Sequence, residues 1–172
     1  MPHKTVETVA VLATNYWAAM QGRKALKVTW DNGEFDKVST DEYFGRLRAQ
    51  VNQKGNDYAD KSGDFDAAFA SAPKKIEAFY ETPFLAHAPM EPENTVAWVK
   101  GDQVEVWGPF QGPDGAIQDI VAYLKVKPEN VKVNVTFLGG AFGRKAYLDF
   151  MKEALFLSKQ VNAPVKLIWS RE

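Results

Sequence analysis

A chain of 172 residues with 45% hydrophobic and 25% charged side chains has the size and balance of a folded domain with a buried core, which excludes a disordered tail. A formal charge of −1, spread along the chain, supplies no field to hold nucleic acid or an anionic membrane. Without cysteine the chain can build no disulfide, thiolate metal site or iron–sulfur cluster of its own.

In chain order, the β-branched run Val6 to Ala13 reads as a strand, Asn15 to Met20 as a helix and Ala25 to Trp30 as a second strand. The first of these runs is too short to span a bilayer and follows no basic leader with a cleavage site. His3, at the terminus, receives no role. The turn Asp31-Asn32-Gly33 closes this small unit, and the chain then stays polar to about Lys61, with one short helix opened by Ser39 and Glu42 in capping-box spacing. Asp64 to Phe69 predicts a brief helix, and Lys74 to Phe84, carrying Ile76, Phe79 and Tyr80, a long strand.

Thr95 to Val99 and Val104 to Trp107 are short strands separated by Lys100-Gly101-Asp102-Gln103, which predicts an antiparallel hairpin. Helix Ala116 to Leu124, strand Val131 to Phe137, helix Leu148 to Ser158 and strand Val165 to Trp169 then complete two linked βαβ units. Alternation places Val131, Val133, Val135 and Phe137 on a buried face, and helical spacing puts Phe150, Ala154, Leu157 and Val161 on one side of the last helix. Trp17, Trp30, Trp98, Trp107 and Trp169 are assigned to the core. The resulting divisions are 1–33, a polar helical connector at 34–73, and 74–172.

Ligands of βαβ folds gather where loops leave the carboxyl ends of strands. Two loops qualify: Gly108 to Pro113, and Gly139-Gly140-Ala141-Phe142-Gly143-Arg144-Lys145. The glycines of the second permit close backbone approach to an anion, although the same glycines would also serve a plain tight turn. The spacing matches neither the Walker loop nor the dinucleotide fingerprint. Arg144 and Lys145 could neutralise an anionic ligand, but charges in a first helical turn are more often solvated.

Four blocks now stand together: Thr82 to Pro92, containing His87-Ala88-Pro89-Met90-Glu91; Glu105-Val106-Trp107 with Gln111; Phe137 to Arg144; and Pro164 to Glu172. In this order they resemble the large, molybdopterin-binding subunit of the isoquinoline oxidoreductase and aldehyde dehydrogenase family, a branch of the xanthine dehydrogenase and aldehyde oxidase superfamily. The resemblance is strong from Lys74 to Glu172 and partial from Val6 to Asp31. It implies an α+β fold, with the end of an α/β hammerhead domain in 1–33 and the first part of a molybdopterin-binding domain with βαβ-type units in 74–172.

The family's pattern implies that Gln111 donates to an oxygen ligand of molybdenum and that Gly140, Ala141, Phe142, Gly143 and Arg144 line the pterin. His87 and Glu91 fall on the site wall, although a lone histidine between two alanines is more often a packed or hydrogen-bonded structural residue, and a backbone-paired role suits Glu91 as well as chemistry does. Two positions depart from the pattern: Ala141 replaces a common third glycine, and Phe110 stands where a threonine often precedes the glutamine. No residue here binds the metal directly, and the family's glutamate base falls beyond the segment, so no catalytic residue is assigned.

The implied cofactor is molybdopterin in its cytosine dinucleotide form with molybdenum. The implied reaction is hydroxylation of an aldehyde or N-heterocycle with water-derived oxygen, carried out by a larger subunit of which this chain would be an inactive piece. Implied partners are the remainder of that subunit, an iron–sulfur small subunit and a cytochrome c subunit. Location would be the bacterial periplasm, as in some members, or the cytoplasm. The competing reading is a non-catalytic α/β binding or scaffold module without bound cofactor.

Overall fold

The computed structural model describes residues 8–53, 55 and 62–171. His3, the first two residues of the Val6 strand, Lys61 and Glu172 lie outside them. The chain divides into two compact units, Met1–Lys75 and Ile76–Glu172.

The first unit contains helices α1 (Tyr16–Ala25), α2 (Thr40–Gln50) and α3 (Phe65–Ser71). Each starts on a side chain that accepts from the first turn: Asn15 from Ala18, Ser39 from Glu42 and Asp64 from Ala67. Such caps satisfy amide groups that the helix cannot pair itself. The Ser39 cap bears out the expected helix start. Gly33, at φ +54°, donates to the Asp31 carboxylate and turns the chain into a 3-10 helix, as the Asp-Asn-Gly sequence requires.

The two strands expected beside α1 do not form among the described residues. Residues 8–13 and 26–32 carry no sheet pairing, and α1 runs on through Ala25. A β-branched composition favours an extended chain, but a strand also needs a neighbour to receive its hydrogen bonds. What holds the first segment is contact: a Cβ on Gly22 of α1 would fall 2.7 Å from Val11 Cγ1.

The second unit is a four-stranded sheet covered by two helices. Its strands are β1 (Asn94–Lys100), β2 (Gln103–Gly108), β3 (Val131–Val135) and β4 (Val165–Ile168), in the order β3-β2-β1-β4. β1 pairs antiparallel with β2 through the expected hairpin, Val99 opposite Val104. Helix α4 (Pro113–Leu124) carries the chain from β2 to its parallel neighbour β3. Helix α5 (Asp149–Val161) carries it from β3 to the far edge, where β4 lies antiparallel to β1. The second βαβ connection therefore passes over two strands.

One core joins Ala97, Val99, Val104 and Val106 of the sheet to Ala116 and Ile120 of α4 and to Phe150, Met151, Ala154 and Leu155 of α5. The α5 stripe differs from the expected one: Val161 is exposed and Leu157 half-buried, while Met151 and Leu155 are fully covered. Val131 and Val133 pack on the core, but Val135 and Phe137 are exposed. Lys74 to Phe84 forms no strand, and Ile76, Phe79 and Tyr80 face outward. Trp17, Trp30 and Trp98 are also exposed, whereas Trp169 packs against the core. The exposed residues are of types compatible with burial, but no surface among the described residues covers them.

Candidate functional site

The two glycine-containing loops meet. The Gln111 N–H donates to the Lys145 carbonyl at 3.2 Å, joining the loop after β2 to the turn after β3. Gly108 begins the first loop with its carbonyl accepting from both Phe110 and Thr136. A side chain at Gly108 would strike the Phe110 ring at 2.6 Å. Phe110 is buried and stacks on Phe150 with ring centres 6.0 Å apart. The departure from threonine thus anchors the loop in the core and leaves the next residue, Gln111, exposed.

The second turn carries left-handed backbone at Gly140 (φ +92°), Phe142 (φ +54°) and Gly143 (φ +92°). Such φ values are natural for glycine but cost a phenylalanine about 1–2 kcal/mol. Phe142 nonetheless stands 73% exposed, so burial does not offset that cost. Ala141 is buried without a positive φ, which explains why a side chain is accepted there. Among the described residues, the amides of Gly140, Ala141, Phe142 and Gly143 meet no acceptor. Successive unpaired amides in a turn are donors available to an electron-rich ligand.

Glu91 pins this turn. One carboxylate oxygen accepts from Gly139 N at 2.8 Å and from Lys145 Nζ at 2.7 Å, and the other accepts from Asn94 at 3.2 Å. The Glu91 N–H in turn donates to the Gly139 carbonyl at 3.1 Å. Burial pushes the Glu91 carboxyl up, but the hydrogen bonds from Lys145, Gly139 and Asn94 outweigh it and hold the group below its usual range. Lys145 has no exposed side-chain surface. It is neither solvated nor free to meet a ligand's charge, contrary to both expectations from the sequence.

Arg144 is also engaged. It makes a bidentate pair with Asp149 at 3.0 and 2.8 Å, approaches Glu93 at 3.8 Å and lies over the Trp169 ring at 4.9 Å. The hydrogen bonds to Asp149 hold its charge still more firmly than usual. Trp169 is tied down from the other side, its indole donating to Glu153 and its N–H to the Glu93 carbonyl.

His87 is exposed and makes no hydrogen bond among the described residues. It stands beside the turn, with Nε2 3.9 Å from where a Cβ on Gly143 would lie. With Glu93, Arg144, Ser170 and Arg171 it lines a cleft of about 230 Å³. Arg171 closes one wall by donating to the Pro89 and Met90 carbonyls. Glu93 and Arg171 were missed from the sequence because their partners, Arg144 for one and the Pro89 and Met90 carbonyls for the other, are far away along the chain. No group of three or more metal-ligating side chains occurs among the described residues.

Residues 49–172 match the family described as the molybdopterin cofactor-binding domain. Over 124 residues the chain is 40% identical to the aldehyde oxidoreductase molybdenum-binding subunit PaoC of Escherichia coli (strain K12), covering 70% of this chain and 17% of that protein. It is 28% identical over 173 residues to the isoquinoline 1-oxidoreductase subunit beta of Brevundimonas diminuta, covering 95% of this chain and 22% of the relative. The chain thus spans about a fifth of the length of these relatives. In fold it is similar to quinoline 2-oxidoreductase from Pseudomonas putida 86, with a TM-score of 0.56 and 24% identity over 63% of this chain and 14% of that one.

Proposed function

The chain belongs to the molybdopterin cofactor-binding domain family, and from that premise we propose that the turn after β3 and the loop after β2 form one wall of a molybdopterin site. The observation that carries this reading is the run of unpaired amides at Gly140–Gly143 beside the exposed Gln111, two segments joined by the Gln111 to Lys145 hydrogen bond. The residues present suit such a group, since backbone amides donate without ionising.

On this reading Gly140, Ala141, Phe142 and Gly143 hold the pterin through their N–H groups, and the exposed Phe142 ring covers it. The Gln111 amide donates toward the reactive end. His87 and Glu91 belong to the wall, His87 at its rim and Glu91 behind the turn. Arg144 contributes by fixing the base of the turn through Asp149. The cofactor, when bound, supplies the two-electron redox chemistry; the chain's own residues bind, orient and screen.

The relatives' names extend the proposal to an oxidoreductase acting on aldehydes or N-heterocycles, with a cytosine dinucleotide pterin. In the intact enzyme this chain would work with the rest of a larger subunit, an iron–sulfur subunit and, in an exported form, a cytochrome c subunit. Residues 1–33 would then be the closing part of a hammerhead domain, their extended segments finding strands elsewhere in that subunit.

Two variants of the complete subunit test the wall. Gly140→Val places a branched side chain at φ +92°, with its first carbon 3.4 Å from the Phe142 ring, and should sharply reduce bound molybdenum. Wild-type molybdenum content would refute the contact. Gln111→Ala should keep the cofactor but lower turnover by about 10–100-fold, the usual loss when an outer hydrogen-bonding partner of a metal centre is removed. Unchanged turnover at full metal occupancy would remove Gln111 from the site.

A further inference from the structure

We propose that the Glu91–Lys145 ion pair is a positioning device for the glycine turn, fixing where the Gly140–Gly143 amides point and thereby how well the cofactor is kept. The inference rests on the reading of that turn as a cofactor contact. Its physical basis is independent, because the pair looks wasteful as mere core filling.

Lys145 is fully buried, and a buried ammonium is costly unless paired and hydrogen-bonded. Apolar residues often replace a buried ion pair without loss of stability, and here only the Lys145 side is sealed, Glu91 keeping 29% of its side chain exposed. What an apolar pair cannot do is accept a hydrogen bond from Gly139 N–H. Here one oxygen of Glu91 receives both the Lys145 ammonium and the Gly139 amide, while the Glu91 amide donates back to the Gly139 carbonyl. Asn94 steadies the other oxygen and is itself held by the Pro92 carbonyl.

Lys145 extends the arrangement to the second loop, since its carbonyl receives the Gln111 N–H. One residue therefore couples the glycine turn to the glutamine loop, through its side chain on one side and its backbone on the other. The fit at Gly139 is tight: a Cβ there would stand 2.6 Å from the Glu91 Cβ. The turn can move only if Glu91 moves, and Glu91 is held by a group with no access to water.

The test separates positioning from packing in the complete subunit, with three readouts: thermal midpoint, bound molybdenum per subunit and hydrogen exchange at the Gly139–Gly143 amides. The double variant Glu91→Leu/Lys145→Met should keep its midpoint close to wild type, lose molybdenum about tenfold and exchange faster across the turn. Glu91→Gln keeps an acceptor for Gly139 and Lys145 and should retain most of its molybdenum. A double variant with wild-type molybdenum and unchanged exchange overturns the proposal, and so does a Glu91→Gln variant that loses as much as the double.

If the double variant does not fold, Gly139→Ala decides, because it leaves both charges in place and only forces the turn away from Glu91. Loss of molybdenum with faster exchange supports the device, and unchanged values reject it. Gly140→Val keeps the two failures apart. If that variant retains its molybdenum, the cofactor contact itself is wrong; if it loses molybdenum while the double variant does not, positioning alone fails.

Discussion

At the scale of single residues, two glutamates near the site show how opposite environments act on one chemical group. Glu91 is held ionised by donors on several sides. Glu153 is pushed the other way: burial raises its carboxyl, the Trp169 indole hydrogen bond lowers it in part, and repulsion from Asp149 adds to the rise. A carboxyl raised on folding binds its proton more tightly in the folded state than in the unfolded one. It therefore lowers stability progressively as pH climbs from the ordinary value of 4.5 through the folded value, and has no effect well below 4.5. Glu153→Gln preserves an acceptor for the indole while removing the half-buried charge. Its melting temperature should exceed that of the native chain at pH 7, and the difference should vanish in acid below 4.5. A variant that melts lower at pH 7 would show that attraction to Arg144 outweighs burial.

At the scale of elements, the hairpin, α4, α5 and the Ser39 cap of α2 were legible because their signals are local: a glycine turn, a periodic stripe, a capping side chain three residues ahead. The strands predicted around α1 and at Lys74 to Phe84 were not, since pairing depends on a partner that composition does not name. The last part of β1 shows the same dependence on a distant residue. Continuing the β1–β4 register past Ala97 and Val165 would set Val99 opposite Ala163, but Pro164 interrupts the ladder. The α5 hydroxyl of Ser158 fills the break, accepting from Val99 N at 3.0 Å and donating to the Ala163 carbonyl at 2.7 Å. Ser158 is fully buried, so no water can take its place. Ser158→Ala strands a buried amide and should cost about 1–3 kcal/mol, read from the urea midpoint; a change below about 0.5 kcal/mol, within the range of ordinary surface substitutions, would mean that the strand and helix end repair the ladder themselves.

At the scale of the whole molecule, the blocks that carried the family resemblance are those the fold brings together: Glu91, Gln111 and the Gly139–Lys145 turn come from three separate stretches of sequence. What remained illegible was which charge serves which purpose, because Lys145 and Arg144 are adjacent in sequence yet one is sealed against Glu91 and the other clamps Asp149. The two units also differ in what holds them. No residue of α1, α2 or α3 is buried, whereas β1, β2 and α5 contribute fully covered side chains to a continuous core. Resistance to local opening follows buried apolar contact more than helix propensity, and short helices without such contact are marginal in water. Native-state hydrogen exchange of this chain should therefore resolve two tiers. Amides of β1, β2 and α5 should exchange only with global unfolding and shift together with added denaturant. Those of α1, α2 and α3 should exchange faster, on the order of a hundredfold or more, with little denaturant dependence. Equal protection in both sets would show that the helices of the first unit open only with the sheet, and that capping and surface contacts suffice to make the chain one cooperative body.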